Sequence, residues 1–159
     1  MRAVPPIAAD QIVQMRVHTA PRWQNVCDIK APRTGLEIKF SYVFLAAMVV
    51  YGINLAAYES YDDAVCGDAE LTALASRIMI IGDETIADTA TYIEVDRQDG
   101  SKVTQDFDLL APVDVNDLGQ RLNAKATALI GDDRTASLWA MINQLDDASA
   151  ADIAAHLQS

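Results

Sequence analysis

Four basic residues lie close together in a chain that is otherwise strongly acidic. Between positions 22 and 39 only Asp28 and Glu37 oppose them, so this loop carries a local charge of plus two against minus eleven overall. A positive loop that leads into a helix can form an anion site, because the helix dipole and its free N–H groups add to the side-chain charge. The alternative is that these cations pair with acidic neighbours. The four are Arg22, Lys30, Arg33 and Lys39.

A helix beginning after Ser41 positions the end of this loop. The Ser41 hydroxyl is suited to cap the first helical turn, and Gly52 can adopt the positive φ found just past a helix C-terminus. Residues 42–51 between them are all apolar or aromatic, which predicts a helix buried on every side. At about 15 Å it would be half as long as a membrane span, so we expect a core helix.

Alternating apolar residues predict the strands around that helix. In Ile12–Thr19, Val13, Met15 and Val17 share one face, as in a half-buried strand, whereas His18 lies on the polar face and is expected to be exposed or loosely paired. Further strands are predicted at residues 77–81, 91–96 and 103–107, the last two joined by an Asp-Gly turn. We therefore expect an α+β fold with an antiparallel sheet of three to four strands and the buried helix across it.

The last third of the chain has a helical pattern. A short helix is predicted after Asp68, and C-terminal helices after Asp114, Asp132 and Ser149, each of which can serve as an N-cap. We therefore divide the chain into residues 1–110, an α+β domain, and residues 111–159, helices with apolar stripes. These stripes must cover the sheet, a second copy of the chain or a domain outside this sequence.

Composition excludes several functional classes. The length of 159 residues fits one domain with a real core, and a net charge of minus eleven argues against nucleic-acid or anionic-membrane binding. Residues 1–6 lack a secretion signal, so a cytoplasmic location is expected. Cys27 and Cys66 are predicted to be reduced structural thiols. No motif for a metal or cofactor is found, and none is expected.

The sequence PRTGLEIKFS at residues 32–41, followed by the apolar helix with Ala46-Ala47 and Gly52, resembles the MmgE/PrpD family. That family includes 2-methylcitrate dehydratase, cis-aconitate decarboxylase and iminodisuccinate epimerase. The resemblance extends over nearly the whole chain and implies the C-terminal half of such an enzyme, including most of its lid domain. Full-length members are much longer, and their helical N-terminal domain supplies most of the catalytic histidines and lysines.

The resemblance also implies which residues hold substrate. Arg33, Lys39 and Ser41 match the basic and flanking positions of the motif, and they would bind a small polycarboxylate during a cofactor-free lyase or epimerase reaction. The alternative for Lys39 is an ion pair with a glutamate such as Glu37. Phe44 stands where cis-aconitate decarboxylases have a tyrosine, so that proton donor is missing unless Tyr42 replaces it. The catalytic residues are therefore unknown.

An isolated lid-type chain is expected to be inactive. Its partner would be a separately encoded helical half or a second copy of the chain in a dimer, and the chain could also be a gene remnant. The alternative function is a non-enzymatic, self-associating domain that binds small carboxylates at the basic loop.

Overall fold

A computed structural model describes residues 7–158 in two compact units, residues 7–112 and 113–158. Residues 1–6, whose lack of a secretion signal predicts a cytoplasmic location, lie outside the described residues. The strands of the first unit are β1 (Ile12–Thr19), β2 (Ile78–Gly82), β3 (Ala90–Arg97) and β4 (Lys102–Asp108). Its α-helices are α1 (Gln24–Cys27), α2 (Gly35–Ile38), α3 (Tyr42–Val50) and α4 (Ala69–Ala75), with 3-10 turns at Ala9–Gln11, Pro21–Trp23, Tyr58–Tyr61 and Asp63–Gly67.

The four strands form one sheet in the order β2-β1-β3-β4. The predicted α+β fold is confirmed, and β1, β3 and β4 pair in antiparallel fashion as expected. β2 departs from the prediction because it runs parallel to β1, with Met15 opposite Ile78. The chain between these two strands passes through α3 and α4, and parallel neighbours require a long crossover of this kind.

The faces of β1 differ from the prediction at its first residues. Met15 and Val17 are buried as expected, but Val13 is 52% exposed while Ile12 is completely buried. The pairing with β3 shifts register between Ile12 and Gln14. Such a bulge adds one residue to the strand and reverses the alternation before it, so Ile12 rather than Val13 enters the core.

Helix α3 lies in the core with the predicted ends. The Phe44 N–H donates to the Ser41 hydroxyl at 3.3 Å, and Gly52 has φ +71°. Burial on every side is wrong, however, because Val49 is 60% exposed. The helix packs against β2 and α4, and these neighbours cover one side of it. The buried α3 residues are Val43, Phe44, Ala47 and Met48.

The hairpin of β3 and β4 and the short helix α4 follow the predicted pattern. Gly100 has φ +79° and its N–H donates to the Arg97 carbonyl at 3.0 Å, which closes the predicted turn. Asp68 caps α4 by accepting from the N–H groups of Glu70 and Leu71, both at 2.9 Å. Both elements add buried residues to the core shared with β1 and α3.

The second unit consists of α5 (Val115–Ile130), α6 (Asp132–Ile142) and α7 (Ala150–Gln158). Asp114 caps α5 as predicted. Asp132 does not cap α6, because it is the first residue of the helix. Gly131 occupies the N-cap position without a side-chain bond. Its φ of +81° is a backbone conformation that only glycine readily adopts. None of the helices described in residues 7–158 has the length and apolar content needed to cross a membrane.

Candidate functional site

The motif segment, residues 32–41, is folded around the single turn of α2. The Thr34 hydroxyl accepts from the Glu37 N–H at 3.2 Å, and the Glu37 carboxylate accepts from the Arg33 backbone N–H at 2.6 Å. This exchange is a variant of the capping box, in which an N-cap side chain and an acid three residues later satisfy free N–H groups at a helix start. Glu37 therefore bonds to the backbone in this turn.

Gly35 fixes the motif segment against the turn at Tyr58–Tyr61. A Cβ atom at position 35 would lie 1.6 Å from the Tyr61 carbonyl oxygen, which is far inside any permitted contact. In addition, the Gly35 N–H donates to the Asp63 carboxylate at 2.7 Å. The glycine in this motif is thus required by close packing of two backbone segments.

Arg33 and Lys39 both lie on the surface, one just before α2 and one just after it. The Lys39 ammonium lies 4.7 Å from the centroid of the Tyr61 ring, a cation–π contact. Within residues 7–158 neither side chain has a carboxylate within ion-pair distance. The expected alternative, a Lys39–Glu37 pair, is therefore not seen among the described residues.

The other two cations of the loop are paired. Arg22 contacts the Asp88 carboxylate at 2.6 Å, and the Lys30 ammonium contacts the Asp28 carboxylate. The four cations of the basic loop thus fall into two groups. Arg22 and Lys30 form ion pairs with acidic residues, whereas Arg33 and Lys39 remain available to an external anion.

Ser41, the third predicted substrate-binding residue, is completely buried, with its hydroxyl capping α3. Its role in the structure is to start α3 directly after the motif. The structure brings Arg33 and Lys39 to the surface of the same segment, and it buries Ser41 at the N-cap position of α3.

A cavity of about 470 Å³ lies beside the motif segment. Phe44 is one of the residues that line it. Neither Arg33 nor Lys39 borders it, and its lining is mainly apolar. This cavity can accept an apolar group but offers little to a polycarboxylate. The lining includes Lys30, Pro32, Val43, Phe44, Cys66 and Ile78.

The thiol and phenol groups near the motif are protonated at neutral pH. Burial raises the pKa of the Cys66 thiol above its usual value, and the nearby Asp63 and Glu37 carboxylates raise it further. Burial likewise raises the pKa of Tyr61 and of Tyr42. Cys66 is therefore poorly suited to act as a nucleophile.

A network of charged residues crosses the sheet face opposite the core. Arg16 contacts Glu94 at 3.0 Å and Asp96 at 2.7 Å, and Lys102 lies 3.4 Å from Glu94. Hydrogen bonds from Arg16 hold the pKa values of both carboxyls below their usual range. His18, expected to be exposed or loosely paired, is part of this network, with Nε2 3.3 Å from Glu94.

Sequence reasoning missed this network because its members lie on three strands. The pairing of β1 with β3 places Arg16 opposite Glu94, and that of β3 with β4 places Asp96 opposite Lys102. Only the strand register could have shown it. Within the described part of the chain, no group of three or more His, Cys, Asp and Glu residues is arranged to hold a metal ion.

No family model matches this chain, and no curated protein matches it significantly. The resemblance to the MmgE/PrpD family therefore depends on the motif residues and on the pattern around them.

Proposed function

We propose that this chain is the C-terminal, lid-type part of an MmgE/PrpD-like enzyme that acts on small polycarboxylates, and that it is inactive by itself. The observation that carries the proposal is the state of the motif cations. Arg33 and Lys39 are exposed and, among the described residues, have no carboxylate partner, although the chain has 23 acidic residues. Two unpaired cations at the ends of one helical turn suit a ligand with two or more carboxylates.

The isolated chain should hold such a ligand weakly. An exposed ion pair contributes only about 0–1 kcal/mol, because water screens both charges. Two such pairs contribute at most about 2 kcal/mol, which corresponds to a dissociation constant of about 30 mM or weaker. Tighter binding requires a second surface that closes over the ligand and excludes water.

Catalysis also requires groups from outside the described residues. Proton abstraction next to a carboxylate needs a base with a pKa near the working pH and positive charge to stabilise the developing anion. Arg33 and Lys39 meet the second need. His18 is the only histidine whose side chain the structure describes, and it is bound to Glu94 in the sheet network, so the base is assigned to the partner.

The second unit supports the need for a partner. Its helices carry large apolar side chains that are about half exposed. Covering the exposed half of each would contribute roughly half of the 1.5–3 kcal/mol that full burial of such a side chain gives. A separately encoded helical half would supply both the missing cover and the missing base. These half-exposed residues include Leu118, Leu122, Leu129 and Ile142.

Anion binding is tested by NMR titration of the isotope-labelled chain with citrate. We expect amide shifts at residues 33–39 that disappear in the Arg33→Ala/Lys39→Ala variant. The matched control is Arg22→Ala/Lys30→Ala, which removes the same charge from cations that already have acidic partners. Equal citrate binding in both double variants would contradict a site at Arg33 and Lys39.

The split-enzyme form of the proposal is tested with the products of neighbouring genes. A helical protein that forms a complex with this chain should give turnover of a polycarboxylate, and the Arg33→Ala/Lys39→Ala variant should form the complex without turnover. If no neighbouring product binds the chain or restores activity, the split-enzyme form fails.

A second candidate function, a self-associating domain without catalysis, is favoured by the same exposed apolar side chains of α5 and α6. In that case the second copy of the chain covers them. Sedimentation over a concentration series separates the two candidates, since a chain that remains monomeric at high concentration contradicts self-association.

A further inference from the structure

A separate cavity of about 310 Å³ lies where β1 ends and α3 begins. It shares no lining residue with the cavity beside the motif segment, and neither Arg33 nor Lys39 borders it. Its volume is at the lower end of the range for small-molecule sites, which fits a ligand with one or two rings. Residues that line it include Thr19, Trp23, Cys27, Tyr42, Asp88 and Phe107.

The polar side chains that line this cavity include Thr19, which ends β1, Cys27, which ends α1, and Tyr42, the first residue of α3. The Tyr42 phenol interacts with both Thr19 and Cys27. A backbone bond from the Ile29 N–H to the Phe40 carbonyl at 3.2 Å holds the ends of α1 and α3 side by side. Thr19, Cys27 and Tyr42 belong to three different elements, and the fold brings them together.

The Tyr42 hydroxyl can donate to a ligand. Burial raises its pKa above the usual value, and the Cys27 side chain raises it further, so the phenol is protonated at neutral pH. Thr19 lowers the pKa, which is the effect of a hydroxyl that donates to the phenol oxygen, whereas the side-chain interaction with Cys27 raises it, which is the effect of a phenol that donates to sulfur. Sulfur is a weak acceptor, so a ligand oxygen in the cavity can replace it as the acceptor of the phenol proton.

The remaining walls favour an aromatic and uncharged ligand. Trp23 is fixed by a hydrogen bond from its Nε1 to the Asp88 carbonyl at 2.9 Å. The Arg22 guanidinium lies 4.9 Å from the Trp23 ring centroid and 2.6 Å from the Asp88 carboxylate, so the two charges at this edge neutralise each other. An ionic ligand would find no unpaired partner at this edge, whereas an aromatic ring can pack against Trp23 and Phe107.

We propose that this cavity binds a small, uncharged aromatic molecule with a carbonyl or hydroxyl oxygen, whose ring packs on Trp23 and whose oxygen accepts from the Tyr42 hydroxyl. The inference goes beyond the proposed polycarboxylate function and does not depend on it. The site uses neither of the motif cations, and its ligand carries no charge.

The test compares two probes of nearly equal shape, acetophenone and ethylbenzene, by NMR titration of the full chain. Acetophenone should shift amide signals of residues 19–27 and 88–91 and bind about fivefold more tightly than ethylbenzene, since one net hydrogen bond distinguishes the probes. Absence of these shifts at the solubility limit, or a preference below about twofold, overturns the proposal.

Two tyrosine variants then test whether the preference for acetophenone depends on the Tyr42 hydroxyl. Tyr42→Phe should bind both probes equally, whereas Tyr51→Phe, at the opposite end of α3 and absent from the cavity lining, should keep the preference. A preference that survives in folded Tyr42→Phe overturns the assignment. If that variant does not fold, the probe comparison in the unmodified chain decides.

The Arg33→Ala/Lys39→Ala variant keeps the two proposals distinguishable. It should lose citrate binding and retain acetophenone binding with its preference over ethylbenzene. Loss of the acetophenone preference in this folded variant would contradict a separate aromatic site.

Discussion

The two units of this chain bury their apolar residues to very different extents. In the first unit, Ile12, Ile38, Met48 and Leu74 are completely buried in one shared core. In the second unit, Thr135 is the only buried residue among those whose exposure is described, and Leu129 is 53% exposed. Helix α5 of the second unit is nevertheless well formed, with an aspartate cap and an apolar period.

This difference shows that the local signals that start and end a helix are distinct from the packing that stabilises it. Local signals are sufficient to place the ends of α5, just as they place the ends of α4. Most helical stability in proteins comes from packing an apolar face against another element. The first unit supplies that packing itself, whereas the large apolar side chains of α5 and α6 are about half exposed.

Truncation of one leucine in each unit gives the largest expected contrast. Leu74→Ala should lower the free energy of unfolding by about 2–5 kcal/mol, because it leaves a cavity in a fully buried site. Leu122→Ala, at a residue that is 48% exposed, should change it by less than about 0.5 kcal/mol. Urea denaturation measures both, and equal losses would show that the second unit has a core of comparable strength.

A substitution at Gly35 tests the close packing of the motif segment. Gly35→Ala should lower the free energy of unfolding by about 2–3 kcal/mol, since its Cβ atom would overlap the Tyr61 carbonyl and force the backbone to move. Gly67→Ala is the control, as a Cβ atom there meets nothing within 4 Å. A Gly35→Ala protein as stable as Gly67→Ala would mean that the two segments separate easily.

The two aspartate caps test how each unit responds to the same loss. Asp68→Ala should lower the global free energy of unfolding by about 1 kcal/mol, because α4 is packed in the core. Asp114→Ala removes the same kind of cap from α5, and it should reduce the NMR helicity of the first turn of α5 without changing unfolding of the first unit. A global effect from Asp114→Ala would contradict the local behaviour expected of the second unit.

The decrease in the free energy of unfolding at acid pH should depend on Arg16. Arg16 lowers the pKa values of Glu94 and Asp96 in the folded chain, relative to their usual values of 4.5 and 3.8. The two ionised carboxylates therefore stabilise the folded chain above these usual values. This stabilisation is lost as the pH falls through the lowered pKa values of the folded chain. Arg16→Met should therefore flatten the fall in stability below about pH 4.5. Arg121→Met, in the second unit, should leave that fall unchanged.

Most elements of the fold could be predicted because their signals are local. Ser41 and Gly52 mark the ends of α3, and Asp99-Gly100 marks the hairpin turn, within a few residues of the structure they determine. The parallel pairing of β2 could not be predicted, since nothing in residues 77–81 specifies the strand beside them. The bulge after Ile12 depends equally on a distant partner, Arg97.

The candidate sites were predictable to a lesser degree. The basic loop was visible in the sequence, but which cations lack partners depends on tertiary neighbours: Asp88 pairs with Arg22 across 66 residues. Glu37, which could have paired with Lys39, instead bonds to the Arg33 N–H. The cluster of Thr19, Cys27 and Tyr42 had no local signal, since each residue taken alone resembles an ordinary core or surface residue.

The parallel strand at the edge of the sheet has a consequence for the order of folding. β3 and β4 are joined by a tight turn and can pair within a short stretch of chain, whereas Met15 must find Ile78 across more than sixty residues. Closing a long loop costs more entropy and slows the formation of such contacts. The hairpin is therefore expected to gain hydrogen-exchange protection first during refolding, and the pairings of β1 with β2 and with β3 to form later.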